Sequence, residues 1–416
     1  MKNGILFIIR AYNDIDHITP IVYKMNLEHP DIPVNVLIYN VINDYSSDYR
    51  VKFLKNMDIP ITHIFDHLSP QVIPVNLYFR IIQYIDKMKR FNLIRLFLNR
   101  LFVLPMKRSF NSKIDHILPG ELLNSIFNHK PTVIVFDQAE NSFYRKLCDY
   151  AKLKSITTVA VPHGHNTLAN DMIWTDSMEI LPNTSTIQTP NIYNYVVYEN
   201  DIIANRYIRS GLVEKDQVKV IGSSRFSDEW IEKMEGIIPA KRLPIYPKEK
   251  LKVVLMLTKY KYNGHPDEIE RTIEYLSNFP NLQLIVKPHT RGMRFNNTFE
   301  SNVTIVDNEF HSPLLIEWAD IVLFTMTSVI FDCLKKDKPI LYLKNTHSNK
   351  LLSENYFHSW EVHCRDDLRA FILNAFENRN SRTYSVEDRD KYCKVMIEPH
   401  GKNVLQMYCS FIESIA

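Results

Sequence analysis

The chain has 416 residues, of which 45% are hydrophobic and 23% charged, and its formal net charge is +3. One hydrophobic core rarely organises a chain of this length, so two domains are expected, and the composition excludes a disordered protein. The charge is too small to indicate nucleic-acid binding, which needs a concentrated basic surface, so no nucleic-acid partner is expected.

Cysteine usage and the N-terminal residues both favour a cytoplasmic protein. The five cysteines are widely spaced and form no Cys-x-x-Cys pair, a pattern that suggests neither a disulfide framework nor a zinc site. The first apolar run ends at Arg10 and is interpreted as a buried strand rather than a signal peptide. No run approaches the roughly 18 to 20 apolar residues of a membrane-spanning helix, so any contact with the inner face of the membrane is expected to be peripheral.

Short apolar runs alternate with segments of helical periodicity, which predicts βα units around parallel sheets. In the first half the predicted strands are Ile5 to Ile9, Val34 to Tyr39, Ile61 to Phe65, Thr132 to Phe136, Thr157 to Val161 and Tyr195 to Tyr198. In the second half they are Lys252 to Leu257, Leu282 to Val286, Val303 to Val306, Ile321 to Phe324 and Ile340 to Leu343.

This pattern predicts an α/β fold of the GT-B type, with two Rossmann-like doubly wound domains and an interdomain cleft. UDP-sugar 2-epimerases share that architecture. The expected acceptor-side domain covers residues 1–235 and carries a basic helical insertion at about 75–115. Residues 236–250 contain several prolines and are interpreted as a linker. Residues 251–416 form the expected nucleotide-sugar domain, whose last helix is a candidate to cross back to the first domain.

Ligands of open α/β sheets bind at the carboxyl ends of the strands, so polar residues that follow strands are the candidates for a site. After the first strand, two carboxylates, an amide and an imidazole suit a general base or contacts with sugar hydroxyls. The alternative is that Asn13 or Asp14 caps the next helix. The four candidates are Asn13, Asp14, Asp16 and His17.

Two further candidates follow later strands of the first half. Asp137 and Glu140 are either a helix cap with its capping-box partner or a site with Glu140 in a catalytic role. His163 and His165 flank Gly164 in a chain with only 9 glycines. This turn favours exposed imidazoles and backbone N–H groups that hold a carboxylate or phosphate. His163 is predicted to be catalytic, and His165 is predicted to contact the sugar or the acceptor.

A small-residue turn precedes the helix that begins near Asp228. Ser223 and Ser224 allow close approach of an anionic ligand, and Arg225 can add a bidentate contact. Asp228 is either a helix cap or a catalytic carboxylate.

The second half offers a phosphate site. Lys287, His289 and Arg291 can neutralise a leaving nucleotide phosphate, and His289 could also act as an acid. Thr327 and Ser328 precede a helix whose N-terminus favours phosphate, although these hydroxyls could merely cap the helix.

Between Arg80 and Lys113 basic residues alternate with apolar ones, and Asp86 is the only acid. A basic amphipathic helix can rest on anionic lipid. The alternative is a pair of helices packed on the domain with a solvated face.

The Lys-Pro-His-Thr loop, with Thr-Ser-Val-Ile-Phe-Asp and Lys-Pro-Ile-Leu-Tyr-Leu after it, resembles the C-terminal domain of GT-B enzymes that build bacterial surface polysaccharides. The Tyr-Asn-Asp-Ile-Asp-His-Ile-Thr-Pro, Val-Pro-His-Gly and Gly-Ser-Ser-Arg-Phe-Ser-Asp-Glu-Trp segments look like the retaining β-Kdo transferase domains of lipopolysaccharide and capsule assembly. The resemblance spans most of the chain but not residues 66–130.

The resemblance implies a CMP-Kdo donor, a lipid-linked glycan acceptor and no metal or other cofactor. It implies that Lys287, His289 and Ser328 hold the CMP phosphate and that Asp228 forms a covalent adduct with the sugar. Glu140 or Asp16 would then activate the acceptor hydroxyl. Two alternatives stay open. One is a CDP-glycerol-type polyol-phosphate transferase or another GT-B nucleotide-sugar enzyme, and the other is a non-catalytic glycan- or nucleotide-binding protein.

Overall fold

The computed structural model describes residues 4–40, 42–43, 45–67, 75–87, 92–127, 131–165, 167–168, 191–241, 243, 249–258, 264–289, 299–307, 309–379 and 381–416. The chain divides into two compact units. The first comprises residues 1–164, 190–237 and 400–416, and the second comprises residues 165–189 and 238–399. Compared with the expected boundaries, residues 165–189 fall in the second unit, and the last helix falls in the first.

The first unit alternates strands and helices, as the sequence predicts. Its strands are β1 (Gly4–Ile9), β2 (Val34–Ile38), β3 (Ile61–His63), β4 (Pro131–Asp137), β5 (Thr157–Val161), β6 (Tyr195–Tyr198) and β7 (Val218–Val220). In its described residues before position 238 the α-helices are α1 (Tyr12–Glu28), α2 (Tyr49–Asn56), α3 (Val75–Lys87), α4 (Asn92–Leu98), α5 (Leu104–Asp115), α6 (Pro119–Ile126), α7 (Ser142–Leu153), α8 (Asp201–Arg209) and α9 (Asp228–Ile237).

These strands form a seven-stranded sheet in the order β3-β2-β1-β4-β5-β6-β7. Every neighbouring pair is parallel. Alternate side chains of β1 enter two separate apolar clusters: Leu6 and Ile8 lie on one face, and Ile5, Phe7 and Ile9 lie on the other. Burial on both faces explains the nearly continuous apolar runs of the sequence.

The second unit is built in the same way. Its strands are β8 (Leu251–Met256), β9 (Leu282–Lys287), β10 (Val303–Ile305), β11 (Ile321–Phe324), β12 (Ile340–Leu343) and β13 (Glu361–Val362). Its helices are α10 (Pro266–Ser277), α11 (Ser312–Trp318), α12 (Val329–Lys335), α13 (Arg365–Glu377) and α14 (Val386–Met396). The parallel sheet has the order β10-β9-β8-β11-β12-β13. The two-residue β13 is absent from the predicted strands because so short a run carries no periodicity.

The final helix, α15 (Val404–Ser414), packs on the first unit. Leu405 and Ile412 belong to the same apolar cluster as Ile18 of α1, and the Tyr408 hydroxyl donates to the Gly222 carbonyl at 3.0 Å. The predicted α/β fold with two doubly wound units is therefore confirmed. None of the helices in the described ranges is both long and apolar enough to cross a bilayer.

Candidate functional site

The strand order of the first sheet reverses between β1 and β4. Successive strands β2 and β3 are added on one side of β1, and β5, β6 and β7 are added on the opposite side, beyond β4. Ligands of doubly wound sheets bind at the carboxyl ends of strands at such a switch point. At this edge Arg10 follows β1, Asp137 ends β4, and His163 follows β5. Asp14 lies in the first turn of α1. The topology thus brings four polar side chains to one place.

The His163 ring is held between two buried carboxylates. Its Nδ1 lies 2.5 Å from Asp14 Oδ1 and 3.3 Å from Asp137 Oδ2. The side chains of Asp14 and Asp137 are 0% exposed, whereas that of His163 is 34% exposed. The ring is therefore fixed on its Nδ1 side and reaches solvent elsewhere.

Other donors fix both carboxylates in turn. Asp14 Oδ2 accepts from the backbone N–H groups of Arg10 at 2.8 Å and Ala11 at 2.6 Å. Asp137 Oδ2 accepts from the Arg10 guanidinium at 2.7 Å, and its Oδ1 accepts from the Tyr144 hydroxyl at 2.7 Å. Asp14 therefore does satisfy N–H groups at the start of α1, as the capping alternative predicts, and also contacts the histidine.

These contacts perturb the pKa of all three groups. Burial lowers the pKa of His163, but hydrogen bonds with Asp137 and Asp14 outweigh burial and raise that pKa to about 9. Burial raises the pKa of Asp14, and the hydrogen bond with His163 opposes that rise. Burial also acts to raise the pKa of Asp137, but hydrogen bonds from His163 and Arg10 bring it below its usual value. The Asp14–His163 pair therefore holds a proton at neutral pH.

The same three side chains are the kinds of ligand that bind metals, and their ligand atoms lie within 4.8 Å of one another. Their existing contacts oppose a cation, however. The Arg10 guanidinium already contacts the Asp137 oxygen that faces His163, and backbone N–H groups occupy Asp14. A metal would have to displace these donors beside a fixed positive charge. The arrangement suits proton transfer better than metal binding.

The structure places two other predicted residues beside this cluster. A Cβ atom on Gly164 would lie 3.3 Å from the Asn13 side-chain nitrogen, so the Asn13 amide lies over the turn after His163. Asn13 is exposed and can contact a ligand there. The predicted turn at Gly164 thus meets the predicted loop after β1.

Two of the remaining carboxylates predicted for this unit contact arginines. Asp16 contacts the buried Arg50 and lies 3.5 Å from Arg225. Glu140 contacts Arg145 at 2.9 Å. Guanidinium groups thus occupy oxygens of both carboxylates that a substrate hydroxyl would have to reach, and this favours His163 over Asp16 and Glu140 as a base.

Asp228, the predicted nucleophile, begins α9. Its side chain is 47% exposed and lies 3.7 Å from the Lys402 ammonium. The predicted sugar contact His17 is buried, with its Nδ1 3.7 Å from Glu199 Oε1. Neither side chain belongs to the hydrogen-bonded group around His163.

The two serines predicted to contact the donor are buried. The Ser224 hydroxyl donates to the His17 carbonyl at 2.6 Å and thereby joins the turn after β7 to α1. We expect Ser224→Ala to lower the free energy of unfolding by about 1–3 kcal/mol, because the buried hydrogen bond between the turn and α1 is lost. Urea denaturation measures this. Ser210→Ala, which removes an exposed hydroxyl bonded to the Tyr207 carbonyl, is the control with an expected change below about 0.5 kcal/mol. A donor-binding role without a structural one would instead raise KM and leave stability unchanged.

In the second unit, backbone and side-chain hydrogen bonds join the loops that follow β8, β9 and β11. The Leu257 N–H donates to the Lys287 carbonyl at 3.1 Å, and the Thr258 N–H donates to Thr325 Oγ1 at 3.1 Å. These contacts bring the predicted phosphate-binding residues Lys287 and Thr327 to one edge of the second sheet.

The predicted cations differ in their surroundings. Lys287 is buried, and its ammonium donates to the Asp307 carbonyl at 2.5 Å. Burial lowers the pKa of Lys287 to about 8. His289 is partly buried two residues later. Arg291 lies outside the described residues.

The hydroxyl of Thr327 accepts from the Val329 N–H at 3.3 Å, so it caps α12, as the alternative interpretation predicts. Ser328 is the residue before this helix and is partly buried. His165, a predicted sugar contact, belongs to the second unit, where its ring packs edge-on against Phe331 with centroids 4.5 Å apart.

The sequence alone does not point to Arg10 or Tyr144, and it leaves Asp137 open between a helix cap and a site. The cap of α7 is Asn141, which accepts from the Tyr144 N–H at 2.9 Å, so the capping alternative for Asp137 is wrong. The only signal in the sequence was the position of Arg10 and Asp137 directly at strand ends.

Comparisons with known proteins give distant structural similarity. No protein-family model and no curated protein matches the chain. A UDP-N-acetylglucosamine 2-epimerase structure is 10% identical, covers 99% of this chain and 96% of its own, and has a TM-score of 0.56. The glycotransferase of kitacinnamycin is 12% identical, with 100% and 99% coverage and a TM-score of 0.52. A variant of the wall teichoic acid polymerase TagF soaked with CDPG is 10% identical, with 99% and 88% coverage and a TM-score of 0.53. The chain therefore has the GT-B-like fold that its sequence predicts, with two parallel Rossmann-like sheets.

Proposed function

We propose that this chain transfers a group from a nucleotide-activated donor to a hydroxyl of a glycan acceptor, with His163 as the general base. The observation that carries the proposal is the His163 ring, held through Nδ1 by the buried carboxylates of Asp14 and Asp137 at the switch point of the first sheet. The GT-B-like fold, which is found in glycosyltransferases and in TagF, supports the same class of reaction.

The geometry suits proton transfer at the second ring nitrogen. Because Nδ1 faces the two carboxylates, Nε2 is the nitrogen that can exchange a proton with a substrate. In the neutral ring Nε2 accepts the proton of the acceptor hydroxyl as that oxygen attacks the donor. The resulting imidazolium is stabilised by Asp14 and Asp137, while Arg10 and Tyr144 hold Asp137 in place.

The second unit would bind the nucleotide phosphate in this proposal. Lys287, with a pKa of about 8, is still mostly cationic at neutral pH. His289, Thr327 and Ser328 follow the same edge of the sheet and offer further donors. The donor is proposed to be a CMP-activated acidic sugar such as CMP-Kdo, and the acceptor a lipid-linked glycan, on the sequence resemblance described above. No metal is needed in this scheme, because cationic side chains neutralise the phosphate.

The second candidate is polyol-phosphate transfer from CDP-glycerol. It is favoured by the similarity to TagF, whose structure was solved after a soak with CDPG. Both reactions require a base for the attacking hydroxyl, so His163 has the same role in each. The retaining mechanism additionally needs Asp228 as a nucleophile, and that carboxylate is about half exposed beside Lys402.

A donor panel tests the proposal. Nucleotide release is measured with CMP-Kdo, CMP-sialic acid, CDP-glycerol and UDP-N-acetylglucosamine, each with glycan acceptors. We expect turnover with a cytidine-nucleotide donor: CMP-Kdo for the sugar transferase, or CDP-glycerol for the second candidate. Binding of CMP with no turnover for any donor would identify a non-catalytic nucleotide-binding protein and would refute the proposal.

The Asp228→Ala variant separates the two mechanisms with the active donor. Loss of essentially all turnover supports a covalent adduct on Asp228, and full activity refutes it. Lys402→Ala is the matched control, because it removes the neighbouring charge of Asp228 but leaves the carboxylate in place.

A further inference from the structure

The helical insertion of the first unit exposes an unusual number of apolar side chains. Of the residues from 94 to 104, eight of eleven are apolar. The large apolar side chains that are exposed here are Ile94, Leu96, Phe97, Leu101, Phe102 and Leu104, with exposed fractions from 45% to 63%. Such side chains are normally buried when they occur together, so this segment requires a covering surface.

The insertion is nevertheless anchored to the unit. A π-helical segment, Asn99–Val103, joins α4 to α5, so the helical path continues from Asn92 to Asp115. Towards its end Phe110 and Ile114 are buried in the same apolar cluster as Phe65 and Tyr78. Between 94 and 109, none of the side chains that the structure describes is buried. The last part of this helix, from Phe110, thus packs on the unit, while the exposed apolar side chains lie before it, between Ile94 and Leu104.

The charge of the segment identifies the kind of surface that can cover it. From residue 88 to residue 114 the sequence contains seven lysines and arginines and no acidic residue. Arg100 and Arg108 are exposed among the apolar side chains. A second copy of the same face would bring like charges together, which opposes association. A bilayer with anionic headgroups satisfies both the apolar and the basic side chains.

We propose that the exposed side chains from Ile94 to Arg108 that the structure describes form a docking surface for an anionic lipid bilayer. Phe97, Leu101 and Phe102 enter the boundary between headgroups and acyl chains, and Arg100 and Arg108 contact the lipid phosphates. The helix lies on the membrane and does not cross it. This surface belongs to the first unit and does not depend on the transfer reaction proposed above.

Vesicle flotation of the full chain tests this surface. We expect binding to phosphatidylcholine vesicles that contain about one third phosphatidylglycerol, little binding to phosphatidylcholine alone, and weaker binding at about 0.5 M salt. The apolar variant, Phe97→Ser with Phe102→Ser, should lower the partition coefficient at least about tenfold. The charge variant, Arg100→Glu with Arg108→Glu, should lower it at least about tenfold on anionic vesicles.

Matched controls lie on α7. Leu153→Ser replaces another strongly exposed apolar side chain, and Lys152→Glu reverses another exposed charge. Both should leave lipid binding unchanged. Circular dichroism verifies that every variant is folded.

Two outcomes would overturn the proposal. One is wild-type protein that does not float with anionic vesicles, or that floats equally well after both double substitutions. The other is a dimer in sedimentation velocity that the Phe97→Ser and Phe102→Ser changes convert to monomer while lipid binding is absent, which would assign the face to a second copy of the chain.

Discussion

Replacing His163 with glutamine is expected to lower kcat by about 10²- to 10⁴-fold, the usual contribution of a general base. Glutamine can still donate a hydrogen bond to Asp14, so the local structure should survive, but it cannot accept a proton from the acceptor hydroxyl. Steady-state kinetics with the donor that the panel identifies measures the loss. His358→Gln, a substitution of an exposed histidine in the second unit, is the control with an expected change of less than about twofold.

The pH dependence of the wild-type rate tests whether His163 acts as a base or as an acid, which the loss of activity in His163→Gln does not show. The base form is the neutral ring, and the pKa of His163 is raised to about 9. We therefore expect kcat at saturating donor, where titration of Lys287 in the free protein does not enter, to rise tenfold per pH unit through the neutral range and to level off near pH 9. In His163→Gln this limb should disappear. A wild-type rate that instead falls above pH 9 would mean that His163 acts as an acid, and it would contradict the proposed role.

Much of the fold follows from the sequence because burial on both faces of a parallel sheet produces a clear pattern. The apolar run from Ile5 to Ile9 corresponds to five of the six residues of β1, and the run from Ile321 to Phe324 corresponds to β11. Strand ends are less certain. The predicted strand from Ile61 to Phe65 stops at His63, because Asp66 accepts from the His63 N–H and the chain turns there.

The candidate site was predicted only in part. The sequence indicates His163 and Asp14 because each follows a strand among other polar residues. It leaves Asp137 open between a helix cap and a site, since a carboxylate before a helix has the same local pattern whether it caps the helix or holds a histidine. What distinguishes the two is the pairing of β1 with β4 and of β4 with β5, which places Arg10 and His163 beside Asp137. Those are contacts between distant parts of the sequence, and local periodicity does not contain them.

Contacts between distant parts of the sequence also explain why some predicted ligand-binding residues instead contact other parts of the protein. Small residues at a turn permit close approach of an anion, but they equally permit close approach of another backbone. Ser224 makes the second kind of contact, with the His17 carbonyl. Asp16 was predicted as a base from its position after β1, yet Arg50 from α2 contacts it. In both cases the partner lies more than thirty positions away in the sequence.

Arg10→Met is expected to destabilise the first unit by about 2–4 kcal/mol at neutral pH. It leaves the fully buried carboxylate of Asp137 without its guanidinium, and breaking a buried ion pair on one side typically costs about 3–5 kcal/mol. The lower range applies because Arg10 is partly exposed, and because Tyr144 and His163 still contact Asp137. Urea denaturation gives the change. Arg145→Met, which breaks the exposed pair with Glu140, should cost less than about 1 kcal/mol.

The pH dependence and a second substitution identify the cause of this destabilisation. The pKa of Asp137 is lowered in the folded protein, so its ionised form contributes stability above its unfolded pKa, and this contribution is lost as pH falls through the folded value. Arg10→Met raises that pKa, so the difference from wild type should be largest above about pH 4 and should shrink in acid. Arg10→Met combined with Asp137→Asn should be less destabilised than Arg10→Met alone, because the buried carboxylate that has lost its guanidinium is replaced by a neutral amide. If the double variant instead loses the sum of the two single changes, the buried ion pair is not the cause, and Arg10 stabilises the unit through its packing.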